Sequence, residues 1–494
     1  HTYPVRVSNA LGYVSSASYD YRFGSPLSTT DINGNTITYT YDWRGRLEKV
    51  KSPYDANYSL SFQYWLTNEL SGIPGETEHV LWAITQHYDQ QYPSNTMTTV
   101  LFTDALGREI QTKKDVEINH FELRSISGKV VYDAFGRAIT RYYPITEPTA
   151  SSGYPLTAFN TGVDNIAPTV TTYDILDRET SVTLPNGATT TMVYGFGHDA
   201  YGKKRFKTAT TDPLNNSVTV YKDVRGLQTT VSAPLNATTK FVYNRLGELT
   251  STVNPDNHTT SYTYDNLGQR LSRTHPDAGT DLYRYDPAGN LISHKTQLLT
   301  NVNKEIRYNY TYNLLVSIIY PENTINNVYY QYGTPSDTGN CTGRIKFMED
   351  GSGWQKFSYG PLGEITENIR TFVLYCDTGG YTFRTQYCYD TWNRLKSMTY
   401  PDGEVVTYTY DRGGNLKTMY GTKNGVTHNY ITNIQYDKFE KKTRINYGNG
   451  IYSLYDYDNL QRMNRLRTYK TGSVLYQNLN YTYDNVNNIT QVSN

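Results

Sequence analysis

A repeat of 21 residues is the feature of this sequence that most constrains its fold. Tyrosine followed by Asn or Asp occurs at Tyr243, Tyr264 and Tyr285, and successive tyrosines are 21 residues apart. A fixed period of this length is typical of repeat proteins, in which each unit packs mainly against its neighbours. We therefore expect the 494 residues to form one continuous body rather than several independent domains.

Each repeat is predicted to be a β-hairpin. Residues 259–264 (TTSYTY) alternate β-branched and aromatic side chains, which is typical of a strand. Asp265 then begins a turn in which its carboxylate can accept main-chain N–H groups, and Gly268 supplies a left-handed conformation. A return strand and a second turn at Pro276 complete the unit. The sequence thus predicts an all-β chain of antiparallel hairpins.

The repeats are regular only in the second part of the chain. Residues 221–494 keep spacings near 21 or 26, whereas 1–220 contain degenerate units and a Pro-rich stretch at 144–168 that we interpret as an inserted surface loop. Two units would match one propeller blade, but about twelve blades exceed the usual four to eight, and the units lack a Trp-Asp ending. A spiralling strip of hairpins is the better fit, with 1–494 as a single segment.

Tyrosine is unusually abundant, with 50 residues against 14 Phe and 5 Trp. Pairs spaced two apart, such as Tyr262 and Tyr264, place both rings on one face of a strand, so stacked repeats should form an aromatic ladder. Only 37% of residues are hydrophobic, which favours a thin wall over a deep core. Equal numbers of basic and acidic residues, 46 each, give no electrostatic case for nucleic acid. No apolar run approaches the roughly 18 residues of a membrane span.

Three motifs, Tyr41-Asp42-Trp43-Arg44-Gly45-Arg46-Leu47, Tyr264-Asp265-Asn266-Leu267-Gly268 and Tyr389-Asp390-Thr391-Trp392-Asn393-Arg394-Leu395, closely resemble the Rhs/YD-repeat family. About fifteen copies of the motif between Tyr41 and Asp484 carry the resemblance over nearly the whole chain. The resemblance implies the family's fold, a long β-sheet strip wound into a hollow shell or barrel. It also implies a cargo, because bacterial members enclose a toxic C-terminal domain, whereas teneurins use the shell as an extracellular adhesion scaffold.

The expected function is a non-enzymatic shell segment that encloses a polypeptide cargo such as a toxin domain. The alternative is an extracellular scaffold that binds glycan or protein on a tyrosine-rich surface. The resemblance implies a secreted or cell-surface protein whose partners are its cargo or the remaining parts of the shell, with secretion machinery or surface ligands as further candidates. Bacterial shells end in an Asp-Pro-x-Gly-Leu motif that is absent here, and His1 lies in mid-pattern, so we expect a segment of a larger protein.

No residue is assigned to a catalytic, cofactor or metal site, and no cofactor is expected. The triplets beginning at Asp337 and Asp377 resemble those of aspartic proteases, but both are interpreted as hairpin turns. Asp31 begins a sequence like a calcium loop that lacks Gly at its sixth position. His79 and His87 lack a third ligand nearby in sequence. The arginines after the turns could pair with the turn Asp, although exposed pairs contribute only about 0–1 kcal/mol: Arg46, Arg108, Arg137, Arg178 and Arg394.

Three local predictions can be compared directly with a structure. Residues 230–494 should be almost wholly antiparallel strand, with no helix of three turns or more. Gly268, Gly289 and Gly414 (or Gly413) should include residues at positive φ. If 377–380 is a four-residue hairpin loop, Cys388 faces Ile369, and Cys376 and Cys388 lie too far apart for a disulfide. Cys341 would remain their only possible partner.

Overall fold

The computed structural model describes residues 3–65, 80–93, 96–149, 155–373, 380–472 and 474–494. Over these residues the chain is built almost entirely of antiparallel strands joined by short turns. The first part contains strands β1 (Arg6–Ser8), β2 (Val14–Asp20), β3 (Ser25–Thr30), β4 (Thr36–Tyr41), β5 (Leu47–Lys51), β6 (Leu60–Trp65), β7 (Leu81–His87), β8 (Met97–Thr103), β9 (Glu109–Ile118), β10 (Phe121–Ile126), β11 (Val130–Tyr132), β12 (Ala138–Arg141) and β13 (Ile145–Pro148).

The second part continues in the same manner. Its strands are β14 (Thr169–Tyr173), β15 (Glu179–Thr183), β16 (Thr189–His198), β17 (Lys204–Thr211), β18 (Ser217–Lys222), β19 (Gln228–Ser232), β20 (Thr238–Tyr243), β21 (Leu249–Val253), β22 (Thr259–Tyr264), β23 (Arg270–His275), β24 (Gly279–Tyr285), β25 (Leu291–Lys295), β26 (Ile306–Thr311), β27 (Leu314–Ile319), β28 (Val328–Tyr332), β29 (Ile345–Asp350), β30 (Gly353–Tyr359), β31 (Ile365–Phe372), β32 (Tyr381–Tyr389), β33 (Leu395–Thr399), β34 (Val405–Tyr410), β35 (Leu416–Lys423), β36 (Val426–Tyr436), β37 (Lys442–Tyr447), β38 (Ile451–Tyr457), β39 (Met463–Lys470), β40 (Val474–Tyr483) and β41 (Ile489–Ser493).

The strands form two sheets of 11 and 30 strands. The smaller sheet runs from β1 to β10 in chain order and ends with β13, and the larger one begins with β11 and β12 and then runs from β14 to β41. The sheets meet where Ile126 pairs with Ile145 in one and Val130 pairs with Arg141 in the other. Gly128 lies at this junction, and a Cβ there would come within 1.6 Å of the carbonyl oxygen of Tyr142, so only glycine permits this approach.

Because strands that follow one another in the chain pair side by side, except around β10 to β14, the connecting turns lie alternately on two edges of the strip. We call the edge that carries the Tyr-Asp turns the first edge; it includes 42–46, 265–269 and 390–394. The opposite edge, with turns such as 31–35 and 400–404, is the second edge.

The repeat prediction for 230–494 is confirmed. Among the residues of this span that the structure describes, the helical elements are α1 (Gln297–Asn301) and two single 3-10 turns, Pro234–Asn236 and Thr324–Asn326. Positive φ angles of 80°, 88° and 85° at Gly268, Gly289 and Gly414 confirm the turn prediction.

The predicted register of the hairpin at 369–388 is wrong. Strand β31 ends at Phe372, which pairs with Tyr381, so Ile369 lies opposite Arg384 and not Cys388. The connection spans eight residues rather than four because the strands stop sooner than their composition suggests. Cys376 lies outside the described residues, whereas Cys341 and Cys388 are free thiols.

The stretch 144–168 is more than a surface loop. It contributes β13 to the smaller sheet, and its Leu156 and Phe159 pack against a buried cluster of Ile84, Val100 and Phe102. The described part of the insertion thus packs over β7 and β8 of the smaller sheet. The larger sheet has a small cluster of its own, formed by Ile434, Tyr436 and Ile445.

Candidate functional site

The Tyr-Asp turn is a compact hydrogen-bonded unit. In the 390–394 turn, one carboxylate oxygen of Asp390 accepts the main-chain N–H groups of Trp392 and Arg394 at 3.0 and 2.9 Å. The other carboxylate oxygen accepts the guanidinium Nε of Arg394 at 2.6 Å. The same pattern recurs in turns 42–46, 104–108, 133–137 and 174–178, so the expected pairing of turn Asp with the following Arg is present.

The turn arginine also links its hairpin to the next one. In these five turns, and in 458–462 where Arg462 pairs with Asp458 in the same way, the guanidinium carbon lies 4.2–5.1 Å from the centre of the next hairpin's tyrosine ring: Arg46–Tyr64, Arg108–Tyr132, Arg137–Tyr173, Arg178–Tyr194, Arg394–Tyr410 and Arg462–Tyr483. Each of these tyrosines donates its hydroxyl to the carbonyl oxygen of the residue after that arginine, at 2.6–3.1 Å. Each of these arginines therefore packs over the tyrosine ring of the next hairpin, a contact that the sequence pattern did not predict.

The strip returns to itself after about 300 residues. Turns on the first edge between 333 and 441 contact turns on the second edge between 13 and 164, and the hydrogen-bonded partners are 274 to 326 residues apart. We call this line of contact the seam. One circuit is the length of strip that lies between two residues in contact across the seam. The seam joins edges by side chains, so neither sheet is closed by strand pairing among the described strands.

Carboxamide side chains clamp main-chain groups across the seam. The Gln91 side chain accepts the N–H of Tyr410 at 3.0 Å and donates to its carbonyl oxygen at 2.7 Å. Asn33 holds Thr342 in the same manner, with distances of 2.8 and 3.4 Å. Each clamp satisfies both main-chain polar groups of one residue, and so replaces a β-ladder pair.

One cluster of seam contacts surrounds Trp392. Its indole Nε1 donates to the carbonyl oxygen of Tyr88 at 2.9 Å, and its ring meets His87 edge-on with centroids 5.3 Å apart. Arg394 donates to Asp390 in its own turn and to Asp89 across the seam, at 3.1 Å. The Asp–Arg pair of the ordinary turn is here extended to a second carboxylate.

Charges are distributed unequally over the two sides of the seam. Cations on the first edge meet acids on the second edge in Arg394–Asp89, Arg412–Asp115, Lys417–Glu117 and Lys438–Asp164. Lys114–Glu440 has the reverse orientation. The first edge is thus mainly the basic partner.

Burial changes proton affinities along the seam. Burial raises the pKa of the Asp115 carboxyl, although Thr98 and Arg412 act against this rise. Burial likewise raises the pKa of Asp411. Burial, followed by the charge of Lys114, lowers the pKa of His87, so this imidazole packs against Trp392 as the neutral form.

A buried ionic cluster ties the insertion to the smaller sheet. Lys113 and Glu147 are 1% and 2% exposed, and the Lys113 Nζ lies 2.8 Å from the Glu147 carboxylate. Arg124 contacts the same oxygen at 3.4 Å, and Asn160 donates to the other at 3.0 Å. Gln111 clamps the main chain of Asn160 as Gln91 clamps Tyr410.

The chemical candidates from the sequence lie apart from one another. Asp337 accepts hydrogen bonds from Thr334 and Lys346, which lower its pKa to about 2, as befits a turn carboxylate. Asp31 caps its own turn through Asn33 and Asn35. His87 lies at the seam, whereas His79 and Asp377 fall outside the described residues. Where the structure describes the chain, no group of three potential metal ligands occurs, and no helix is long and apolar enough to cross a membrane.

The seam residues carried no signal in the sequence. Tyr88 and Gln91 lie in a stretch without visible repeats, and Trp392 occupies a turn position that holds many residue types elsewhere, among them Leu, Phe, Arg, Ala and Gly. Loops of variable length separate contact partners that are about 300 residues apart, so these contacts produce no periodic pattern in the sequence.

Two family models match parts of the chain. The RHS Repeat model matches residues 243–280 and 389–427, and a domain of unknown function (DUF6443) matches residues 76–175. A curated relative, Toxin subunit YenC1 of Yersinia entomophaga, is 29% identical over 99 residues, which are 19% of this chain and 10% of that protein.

Solved structures extend the likeness in fold to the whole chain. The crystal structure of TcdB2-TccC3 matches with a TM-score of 0.81 at 18% identity, over 99% of this chain and 28% of that one. The Tc holotoxin pore of Photorhabdus luminescens, with a TccC3-D651A mutation, matches with the same TM-score and identity, over 99% of this chain and 30% of that one. The chain therefore spans less than a third of the proteins whose fold it shares.

Proposed function

Because this chain belongs to the Rhs/YD-repeat family, we propose that it is a non-enzymatic segment of a β-sheet shell that encloses a polypeptide cargo, such as a toxin domain. Its partners are then the cargo and the remaining parts of the shell, and the assembled protein acts outside the producing cell, secreted or at the cell surface. Relatives named as a toxin subunit and as parts of a holotoxin pore support this assignment.

The observation that carries the proposal is the seam. Tyr13, just before β2, donates its hydroxyl to the carbonyl oxygen of Gly333, just after β28, at 3.1 Å. One circuit therefore takes about 26 strand spacings, or about 125 Å at roughly 4.8 Å each. A round circuit of that length has a diameter of about 40 Å between backbones.

Such a circuit is wide enough for a folded or unfolded polypeptide. Side chains about 5 Å deep on the inner face leave a width of about 30 Å. A compact domain of roughly 70 residues has a radius of gyration near 11 Å and, as a sphere, a diameter of about 29 Å, so a small folded domain fits this width. Where the turns of one circuit contact those of the next, the wall separates its inner face from solvent along the seam, which suits a container better than a binding surface.

The proposal can be tested by protease protection. The assembled shell would be isolated from cells that produce it and treated with proteinase K, and surviving peptides would be identified by mass spectrometry. We expect a co-isolated polypeptide without repeat motifs to survive in the native shell. Opening the seam with Trp392→Ala and Arg394→Ala should expose it to digestion.

The matched control is Val193→Ala, because Val193 lies exposed on a sheet face away from the seam. This variant should protect the internal polypeptide as well as the native shell does. A shell that contains no such polypeptide, or one whose polypeptide is digested as fast as in the free state, would contradict the proposal.

A further inference from the structure

The first edge of the strip is covered in one part of the chain and open in another. Side chains two residues after the turn Asp or Asn allow a direct comparison. In the later part Trp392, Phe439 and Leu460 are half-buried. In the earlier part Tyr201 is 42% exposed at this position, and five further apolar residues are 65–81% exposed: Leu106, Phe135, Leu176, Leu246 and Leu267. One turn position thus has two environments in the same molecule.

The half-buried side chains show which surface packs against the first edge. Trp392 lies against His87 and the main chain of Tyr88, and the ring of Phe439 meets Tyr143 edge-on at 5.1 Å. Both partners belong to the second edge of the preceding circuit. An apolar tip of the first edge therefore packs against the opposite edge of another circuit of the strip.

Charge gives a second, independent indication. Across the seam, cations of the first edge mostly meet carboxylates of the second edge, as in Arg394–Asp89 and Lys417–Glu117. The open turns carry arginines in the position of Arg394, namely Arg108, Arg137 and Arg178, whose carboxylate partners among the described residues are the Asp of the same turn and, for Arg137, Asp177 nearby. The guanidiniums of Arg108 and Arg178, each paired with one carboxylate among the described residues, are placed to reach a further carboxylate, as Arg394 does.

We propose that the open first edge at 104–108, 133–137, 174–178, 244–248 and 265–269, here called the open rim, docks the second edge of another circuit of repeat strip in the rest of the shell. This inference rests on the proposed function and deepens it by naming the surface and its partner. The partner edge has apolar recesses for the five tips and carboxylates opposite the arginines. It corresponds to the surface that 88–92 presents to Trp392 and Arg394 within this chain.

Site-specific photo-crosslinking in the assembled shell tests this assignment. The crosslinking amino acid p-benzoylphenylalanine would replace Leu106 or Leu246, whose exposure makes the substitution compatible with folding. It would replace Phe439 as the positive control and Val193, exposed on a sheet face, as the negative control. Crosslinked peptides would be identified by mass spectrometry.

We expect the Phe439 probe to crosslink to the Tyr143 region of the same chain, and the rim probes to crosslink, with similar yield, to second-edge turns of a repeat strip outside residues 1–494. Rim yields no higher than that of Val193 would overturn the proposal, as would crosslinks to a second copy of 1–494 or to the cargo. Because the readout is the crosslinked surface and not protease protection, a failed rim and a failed container function are distinguishable.

Discussion

The indole of Trp392 donates its N–H to the carbonyl oxygen of Tyr88, 2.9 Å away in space and 304 residues earlier in the chain. The hydrogen bond is made between the two edges of one strip after a complete circuit. The donor is a side chain at the tip of one turn, and the acceptor is a main-chain carbonyl of another turn. The hydrogen bond therefore forms only when both edges are in the right position.

Replacing Trp392 with Ala should loosen the seam without unfolding the strip. The change removes the hydrogen bond to Tyr88 and the ring contact with His87, and leaves the hairpin ladder intact. Hydrogen exchange should therefore increase at 88–93 while β33 and β34 remain protected. Trp43→Ala is the control, because Trp43 is exposed at an uncovered turn of the isolated chain, and it should leave exchange at 88–93 unchanged.

Acid should weaken the seam through His87. Burial lowers the pKa of His87 below its ordinary value of 6.5, so the unfolded chain binds the proton more strongly. Stability from this residue is present above about pH 6.5 and is lost as the pH falls toward the lowered pKa. Asp115 and Asp411 act in the opposite sense, because their raised pKa values favour the folded state as they become protonated.

The His87 contribution can be isolated by substitution. His87→Phe keeps a ring against Trp392 but does not titrate, so its Tm should fall less than that of the native chain between about pH 7.5 and about pH 5.5. His428→Phe, at an exposed position, should follow the native pH profile. Equal pH profiles for His87→Phe and the native protein would refute the assignment.

Gly268→Val should destabilise the hairpin at 265–269. The φ of +80° costs a residue with a Cβ about 1–2 kcal/mol, and the Cβ would lie 3.1 Å from the Glu248 carboxylate. Gly195→Val is a matched control, because Gly195 lies within β16 at an ordinary φ, and a Cβ added there would meet no described atom within 4 Å. Urea unfolding should show a loss for the first variant and little change for the second.

Tyr264→Phe should cost about 0.5–1.5 kcal/mol, because its hydroxyl donates to the carbonyl oxygen of Leu249 at 2.9 Å. Tyr262→Phe changes a ring in the same strand whose hydroxyl has no hydrogen-bond partner among the residues that the structure describes. The difference in unfolding free energy between the two variants measures the link from one hairpin to the next. Equal effects would mean that this hydrogen bond does not stabilise the strip.

Glu147→Gln should be strongly destabilising, by about 3–5 kcal/mol, since it leaves Lys113 and Arg124 buried without their shared carboxylate. The same carboxyl-to-amide change at Asp402, whose pair with Lys423 is exposed to solvent, should cost far less. Thermal unfolding of both variants at one pH makes the comparison. A mild Glu147→Gln would show that the cluster does not hold the insertion to the sheet.

The local structure could be predicted from sequence because its determinants are local. Asp265 and Gly268 fix their turn by short-range hydrogen bonds and a required φ, and both lie within one repeat. The register at Cys388 failed because it depends on where β31 ends, and strand composition continues past Phe372. The spacing of the hairpin repeats was therefore easier to predict than the residues at which individual strands end.

The seam could not be predicted because its determinants are spread over a whole circuit. Gln91 meets Tyr410 only after about 300 residues of strand spacing, twist and loop length have accumulated. The pairing of Arg394 with Asp390 was expected from the turn, but nothing in the repeat indicates Asp89 as a second partner.

The seam contacts fix the number of hairpins in one circuit of the wall. Longer loops leave the number of strands between Tyr88 and Trp392 unchanged, so they are tolerated, as the variable repeat length indicates. One extra hairpin within that interval would instead carry the 390–394 turn to the place of 411–415. Trp392 would then lie where Gly413 now is, and even a Cβ there is 3.4 Å from the Cα of Val116, so the indole would collide with the opposite edge. Loop lengths in this strip can therefore vary during evolution. A change in the number of hairpins requires matching substitutions on the opposite edge.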